Sequence, residues 1–80
     1  MALISVRYFA LLREQAGIET ENLSVTCTTY GELYSYLKEK YAFTIPLEMI
    51  QVAVNDEFSQ LENFLIENAR VVFIPPVAGG

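Results

Sequence analysis

Histidine is absent from this 80-residue chain, and cysteine occurs once, at Cys27. Those two scarcities exclude a zinc finger, an iron–sulfur cluster and an internal disulfide framework. Positive charge is also scarce: five basic residues stand against ten acidic ones, for a formal net charge of −5. Nucleic acid and anionic membrane both call for a basic face, so neither is an expected partner. Charged residues interrupt every apolar stretch well short of the ~18–20 residues of a membrane span. The opening Met1-Ala2-Leu3-Ile4-Ser5-Val6-Arg7 lacks the basic region and small-residue cleavage site of a secretory signal. With one unpaired thiol and no export signal, the cytoplasm is the expected compartment.

Apolar material, by contrast, is abundant. Hydrophobic residues make up 52% of the chain, with five Phe and five Tyr. A domain this small hides only ~60% of its unfolded surface. The excess points to a protein partner, and the acidity to one with a basic surface.

Periodicity then sorts the chain into elements. Ile4, Val6 and Tyr8 alternate with Ser5, Arg7 and Phe9, which predicts a strand over residues 2–9. Ala10 to Ala16 can form one or two helical turns closed by Gly17. Leu23 and Val25 face inward from a second strand over 20–26. Thr29-Tyr30-Gly31-Glu32 fits a capping box, and Tyr30, Leu33, Tyr34, Leu37 and Tyr41 follow at helical spacing, with Glu32, Lys38, Glu39 and Lys40 on the wet side. This predicts a helix over 30–41 that cannot run far past Pro46. Ile50 to Val54 alternates as a third strand, turned by Asn55-Asp56. A short strand is expected over 58–60, then a loop or helical turn over 63–68 anchored by Phe64 or Leu65. Arg70 to Ile74, the most β-branched and aromatic run, is the expected central strand, ended by Pro75-Pro76.

Strand, strand, helix, strand, short strand, strand is the order of an α+β, ubiquitin-like β-grasp: a mixed sheet with one main helix on one face. Residues 1–76 form the expected domain and 77–80 a flexible Gly-Gly tail. The helix covers one side of the sheet, contacting Ile4, Val6, Leu23, Val25, Val52, Val54, Val71 and Phe73. Phe9, Ala53, Val72 and Ile74 are left on the open side, beside Arg7 and Gln51. Large apolar residues on an open face mark a partner surface.

Side-chain catalysis has no visible seat. Cys27 lies among threonines with no basic neighbour to lower its pKa, and the carboxylates show no pairing. What remains is the terminus. Two prolines stiffen the exit from the last strand, and Val77-Ala78 leads to Gly79-Gly80. Without Cβ atoms, a Gly-Gly end can enter a channel that any side chain would block. Its bare carboxylate is the one acyl group a second enzyme could activate.

Val72-Phe73-Ile74-Pro75-Pro76-Val77-Ala78-Gly79-Gly80 closely resembles the end of the small subunit of molybdopterin synthases. Phe9-Ala10-Leu11-Leu12-Arg13-Glu14 resembles that family's Phe-Ala-x-x-Arg-Glu, and Ala53-Val54-Asn55 its third-strand Ala-Val-Asn. One departure is the turn before the last strand, usually Asp-Gly-Asp-Glu and here Glu67-Asn68-Ala69-Arg70, where Asn68 can adopt the left-handed conformation of the missing glycine.

The resemblance implies a sulfur carrier that is not catalytic alone. An ATP-dependent activating enzyme would adenylate the Gly80 carboxylate, and a sulfur donor would convert it to a thiocarboxylate. The large synthase subunit would receive the tail, with Gly79 and Gly80 reaching the reaction centre. Phe9, Val72, Ile74, Pro75, Pro76, Val77 and Ala78 would make the partner contacts. Sulfur then passes to cyclic pyranopterin monophosphate, twice per molybdopterin, in a complex of two small subunits flanking a large-subunit dimer. The carrier itself would bind no metal or cofactor; ATP is used by its activating enzyme. A thiamine-pathway sulfur carrier or a ubiquitin-like protein modifier would share the fold and the Gly-Gly end.

Overall fold

The alternation of Ile4, Val6 and Tyr8 produces the first strand, β1 (Ala2–Tyr8), with all three side chains buried; it stops one residue short of the expected 2–9 because Phe9 caps the next helix. The computed structural model describes residues 2–76, so the tail expected at 77–80 lies outside the described residues. Helix α1 (Ala10–Ala16) follows at once and stops at Gly17, whose φ of 80° is the left-handed cap that glycine adopts without cost. Strand β2 (Thr20–Val25) runs back antiparallel to β1.

Helix α2 (Tyr30–Tyr41) has the predicted limits. Thr29 Oγ1 accepts from the Glu32 N–H at 3.2 Å, and the Glu32 carboxylate reaches back one residue further than a standard capping box, to the Thr28 N–H at 2.8 Å. At the other end, Ala42 takes a left-handed φ of 58°, and Phe43 N–H closes onto Lys38 O at 3.0 Å. This turn drives Phe43 into the core, where its ring stacks on Tyr34 with centroids 5.9 Å apart. Leu33, Tyr34 and Leu37 on the same face are fully buried, and burial of each such side chain contributes ~1.5–3 kcal/mol.

A 3₁₀ turn at Leu47–Met49 follows Pro46, and it displaces the start of the third strand. Ile50, expected inside that strand, instead closes the turn with its N–H on Leu47 O, and β3 spans Gln51–Val54. Asn55 and Asp56 both sit at positive φ, 52° and 74°, as a two-residue hairpin requires. Because the turn is so tight, β4 begins at once and spans Glu57–Ser59, one residue earlier than the sequence predicts. Residues 63–68 form a loop bridged to Thr29 at Phe64; Leu65 packs against the core and Phe64 is exposed, which settles the anchor in favour of Leu65. Asn68 has φ 65°, the left-handed conformation expected of it.

Strand β5 (Arg70–Ile74) takes the centre of a sheet ordered β2-β1-β5-β3-β4. It is parallel to β1 and antiparallel to β3. A mixed sheet of this order with α2 across one face is the β-grasp. The α2 side buries Ile4, Val6, Val25, Val52, Val54, Val71 and Phe73, with Leu23 packed at the margin. Leu12, Phe43 and Ala69 complete the core from outside the strand and α2 patterns, and Ile50 keeps the inward parity of Val52 and Val54.

Candidate functional site

The sheet registers place the open face residue by residue. Arg7 pairs with Thr20 on one side and Val72 on the other, Val72 with Ala53, and Ala53 with Phe58. Paired residues share a face, so one row crosses all five strands. A second pairing sets Gln51 beside Ile74. Val72, Ala53 and Ile74 are half-buried, as neighbours in a sheet without a covering layer should be. Phe58, which the sequence reading left out of this face, is its most exposed apolar member at 74%. The signal was the Asn55-Asp56 turn: a two-residue connection fixes Val54 opposite Glu57 and hence Phe58 opposite Ala53.

Where β5 ends, this face runs into a groove of about 850 Å3 beside Pro75 and Pro76. Phe9, Leu11, Ile45, Met49, Ile74 and Pro76 line it, with Glu14 as its charged group. Pro75 is buried and forms part of the groove wall, whereas Pro76 is exposed. Ala10, at a left-handed φ of 51°, turns the chain sharply from β1 into α1 and leaves Phe9 at the corner. A non-glycine residue in that region costs about 1–2 kcal/mol, so local strain sits at the groove.

Neighbouring groups hold the groove in shape. The Arg7 guanidinium lies 5.1 Å from the centre of the Phe9 ring and pairs with Glu19 at 3.0 Å. Gln15 ties α1 to the opposite wall, donating to Thr44 Oγ1 at 2.9 Å and accepting the Thr44 N–H at 3.2 Å. Tyr34 donates to Ile45 O at 2.6 Å, and burial pushes its phenol up to about 12. On the inner side of β1, Tyr8 and Tyr41 both donate to the Glu21 carboxylate, which Lys40 approaches at 3.9 Å. Burial, reinforced by the Glu21 hydrogen bond, holds the Tyr8 phenol far above its ordinary value.

Of the residues singled out from sequence, Phe9, Ile74, Pro75 and Pro76 meet at this groove, and Val72 joins the adjoining face. Val77, Ala78, Gly79 and Gly80 lie outside the described residues. Cys27 is half-buried and does not line the groove, and burial pushes its thiol up, away from the reactive thiolate. Among the described residues no three His, Cys, Asp or Glu side chains gather as a metal site. No helix of the described chain is long and apolar enough to cross a membrane.

Comparison with known proteins gives four concordant results. Residues 6–80 match the profile of the ThiS family. A molybdopterin synthase sulfur carrier subunit from Mycobacterium tuberculosis is 34% identical over 84 aligned residues, spanning 100% of both chains. Among solved structures, small archaeal modifier protein 1 from Methanosarcina acetivorans superposes with a TM-score of 0.76 at 27% identity, over 100% of this chain and 98% of that one. The complex of subunits 1 and 2 of molybdopterin-converting factor from Helicobacter pylori gives a TM-score of 0.64 at 25% identity, over 98% and 99% of the two chains.

Proposed function

The chain belongs to the ThiS family, and from that membership we propose that it carries sulfur on its C-terminal carboxylate for molybdopterin synthesis. The observation that carries this reading is the similarity to a molybdopterin synthase sulfur carrier subunit over the whole of both chains, with Pro75-Pro76-Val77-Ala78-Gly79-Gly80 inside the matched span.

The chemistry needs activation because a carboxylate is a poor acyl donor. An activating enzyme directs the Gly80 carboxylate onto the α-phosphorus of ATP, releasing pyrophosphate and leaving an acyl-adenylate. A sulfur donor then displaces AMP to give the thiocarboxylate. The large synthase subunit receives the charged tail, and the terminal sulfur passes to cyclic pyranopterin monophosphate. In this scheme the carrier supplies sulfur, reach and a docking surface, and its partners supply the catalytic side chains.

The groove and open face suit the docking role. Phe9, Ile74 and Pro76 line one groove, next in sequence to Val77-Ala78-Gly79-Gly80, which suits a partner that receives Gly79 and Gly80. The Helicobacter pylori homologue is itself a complex of two subunits, which supports a large subunit as the partner.

The test is the intact mass of the protein from its own cells, with fragmentation of the last residues. A gain equal to replacement of one oxygen by sulfur, localised to Gly80, is expected. An unmodified mass after incubation with ATP, sulfur donor and activating enzyme would overturn the proposal. The likeness to a small archaeal modifier protein favours a second reading, attachment of Gly80 to lysines of other proteins, for which high-mass conjugates on a blot are the distinguishing result.

A further inference from the structure

We infer that the docking surface continues round the β4 edge, where Phe58, Phe64 and Ile66 receive an apolar anchor flanked by lysine or arginine on the large subunit. This rests on the large-subunit reading above and extends its footprint.

Phe58, Phe64 and Ile66 are the most exposed large apolar side chains among the described residues, at 74%, 72% and 54%. Single exposed apolar residues are ordinary; three around one cleft are a patch. The cleft, about 480 Å3, is also lined by Tyr30 and Glu57. It is continuous with the open face, because Phe58 belongs to both.

The patch is presented by fixed backbone. Phe64 bridges to Thr29, Leu65 N–H donates to Thr28 O at 2.9 Å, and Ile66 N–H donates to the Tyr30 hydroxyl at 3.2 Å. A preorganised apolar surface loses little entropy when it is covered.

Charge selects the occupant. Glu57 lines the cleft, and Glu62 and Glu67 flank the Phe64–Ile66 segment. The neighbouring Arg70 is engaged by Asp56 at 2.8 Å. An acidic rim repels a second copy of this acidic chain and attracts a basic one. Size points the same way: a standard interface takes ~800 Å2 from each partner, a substantial share of the 4957 Å2 this chain exposes, so a tail-end groove needs neighbouring surface to complete it.

The experiment titrates the purified large subunit onto full-length carrier and onto three variants, Phe64→Ser/Ile66→Ser, Glu57→Gln and Ile74→Asp. The double variant is expected to bind at least tenfold more weakly, and Glu57→Gln to reduce the salt dependence of the affinity. If Ile74→Asp weakens binding while the double variant binds within twofold of wild type, the extension is overturned and the docking reading stands. If Ile74→Asp also binds normally, the docking reading falls and the extension with it. A concentration-dependent dimer of the free carrier that the double variant abolishes would assign the patch to self-association and overturn it too. Should the double variant not fold, amide exchange on the wild-type complex decides: slowed exchange across residues 57–66 supports the extension, and unchanged exchange overturns it.

Discussion

Tyr34 donates its hydroxyl to the carbonyl oxygen of Ile45 at 2.6 Å, joining the buried face of α2 to a wall of the groove beside Pro75 and Pro76. Tyr34→Phe keeps the ring, and with it the stacking on Phe43 and the edge contact with Phe73, but strands a partly buried acceptor. Such a loss costs about 1–3 kcal/mol. In a domain of this size each kcal/mol moves the melting temperature by about 4–8 °C. Thermal melts should show that drop, and titration with the large subunit should show a severalfold loss of affinity as the Ile45 wall loosens. An unchanged melt with unchanged affinity would mean the hydrogen bond holds neither the fold nor the groove.

The same phenol sets an alkaline limit. The Tyr34 pKa rises from 10.0 in an unperturbed phenol to about 12 in the fold because the side chain is buried, and Tyr8 and Tyr41 shift in the same direction, each chiefly through burial and then through Glu21. Between these values the unfolded chain has released protons that the folded chain retains. The unfolded state then binds fewer protons, so stability is intact below pH 10.0, falls as pH rises, and is lost progressively through about 12. Denaturant titrations at stepped alkaline pH should show the midpoint falling in that window. A midpoint that stays flat through it would show that these hydroxyls are not buried as described.

Asn68, at φ 65°, occupies the left-handed region that glycine enters most easily. Its N–H donates to Leu3 O at 2.7 Å and so aligns the chain for the β1–β5 pairing. Asn68→Val should destabilise by about 1–2 kcal/mol, the cost of left-handed backbone for a residue with no local hydrogen bond. Asn68→Gly should be close to neutral. Equal melting temperatures for the two variants would refute the conformational account.

The alternation in β1 and β5, the stripe in α2 and the left-handed positions at Gly17 and Asn68 were all legible in the sequence, because each is a local rule with a local cause. Phe43 was not. It lies outside any periodic run and enters the core through a left-handed turn at Ala42, and the 3₁₀ turn after Pro46 that takes Ile50 out of its strand was not legible either. The Tyr8 and Tyr41 hydroxyls converge on Glu21 across three elements, a contact that no spacing along the chain encodes. At the candidate site, Phe9 and Ile74 could be read from strand parity. Ile45 and Met49 could not, because the segment that carries them is placed by Tyr34 and Gln15 rather than by its own pattern.

Ile74 lies half-buried at the end of β5, beside Gln51 on the open face and against the groove. Ile74→Asp leaves its charge in water while the carrier is free, so the melting temperature should move little. Covered by a partner, the same carboxylate would be buried without a counter-charge, a strongly unfavourable arrangement. Affinity for the large subunit should fall at least tenfold, about 1.4 kcal/mol. Wild-type affinity in a folded Ile74→Asp variant would place the interface elsewhere.

The terminus and the thiol make opposite predictions about where sulfur travels. If the Gly80 carboxylate is the acyl group, deleting Gly80 or appending one residue should abolish thiocarboxylate formation and molybdopterin synthesis. The melting temperature should hold, since among the described residues the apolar core is assembled from Ile4 to Phe73. Cys27, half-buried with its thiol pushed up by burial and by the nearby Glu32 carboxylate, is a poor nucleophile at neutral pH. Cys27→Ser should therefore retain full transfer, read as sulfur at Gly80 by mass and as product formed with the large subunit. A folded Cys27→Ser variant that accepts no sulfur would move the chemistry from the terminus to the thiol. Retained transfer after deletion of Gly80 would remove the terminus from the mechanism altogether.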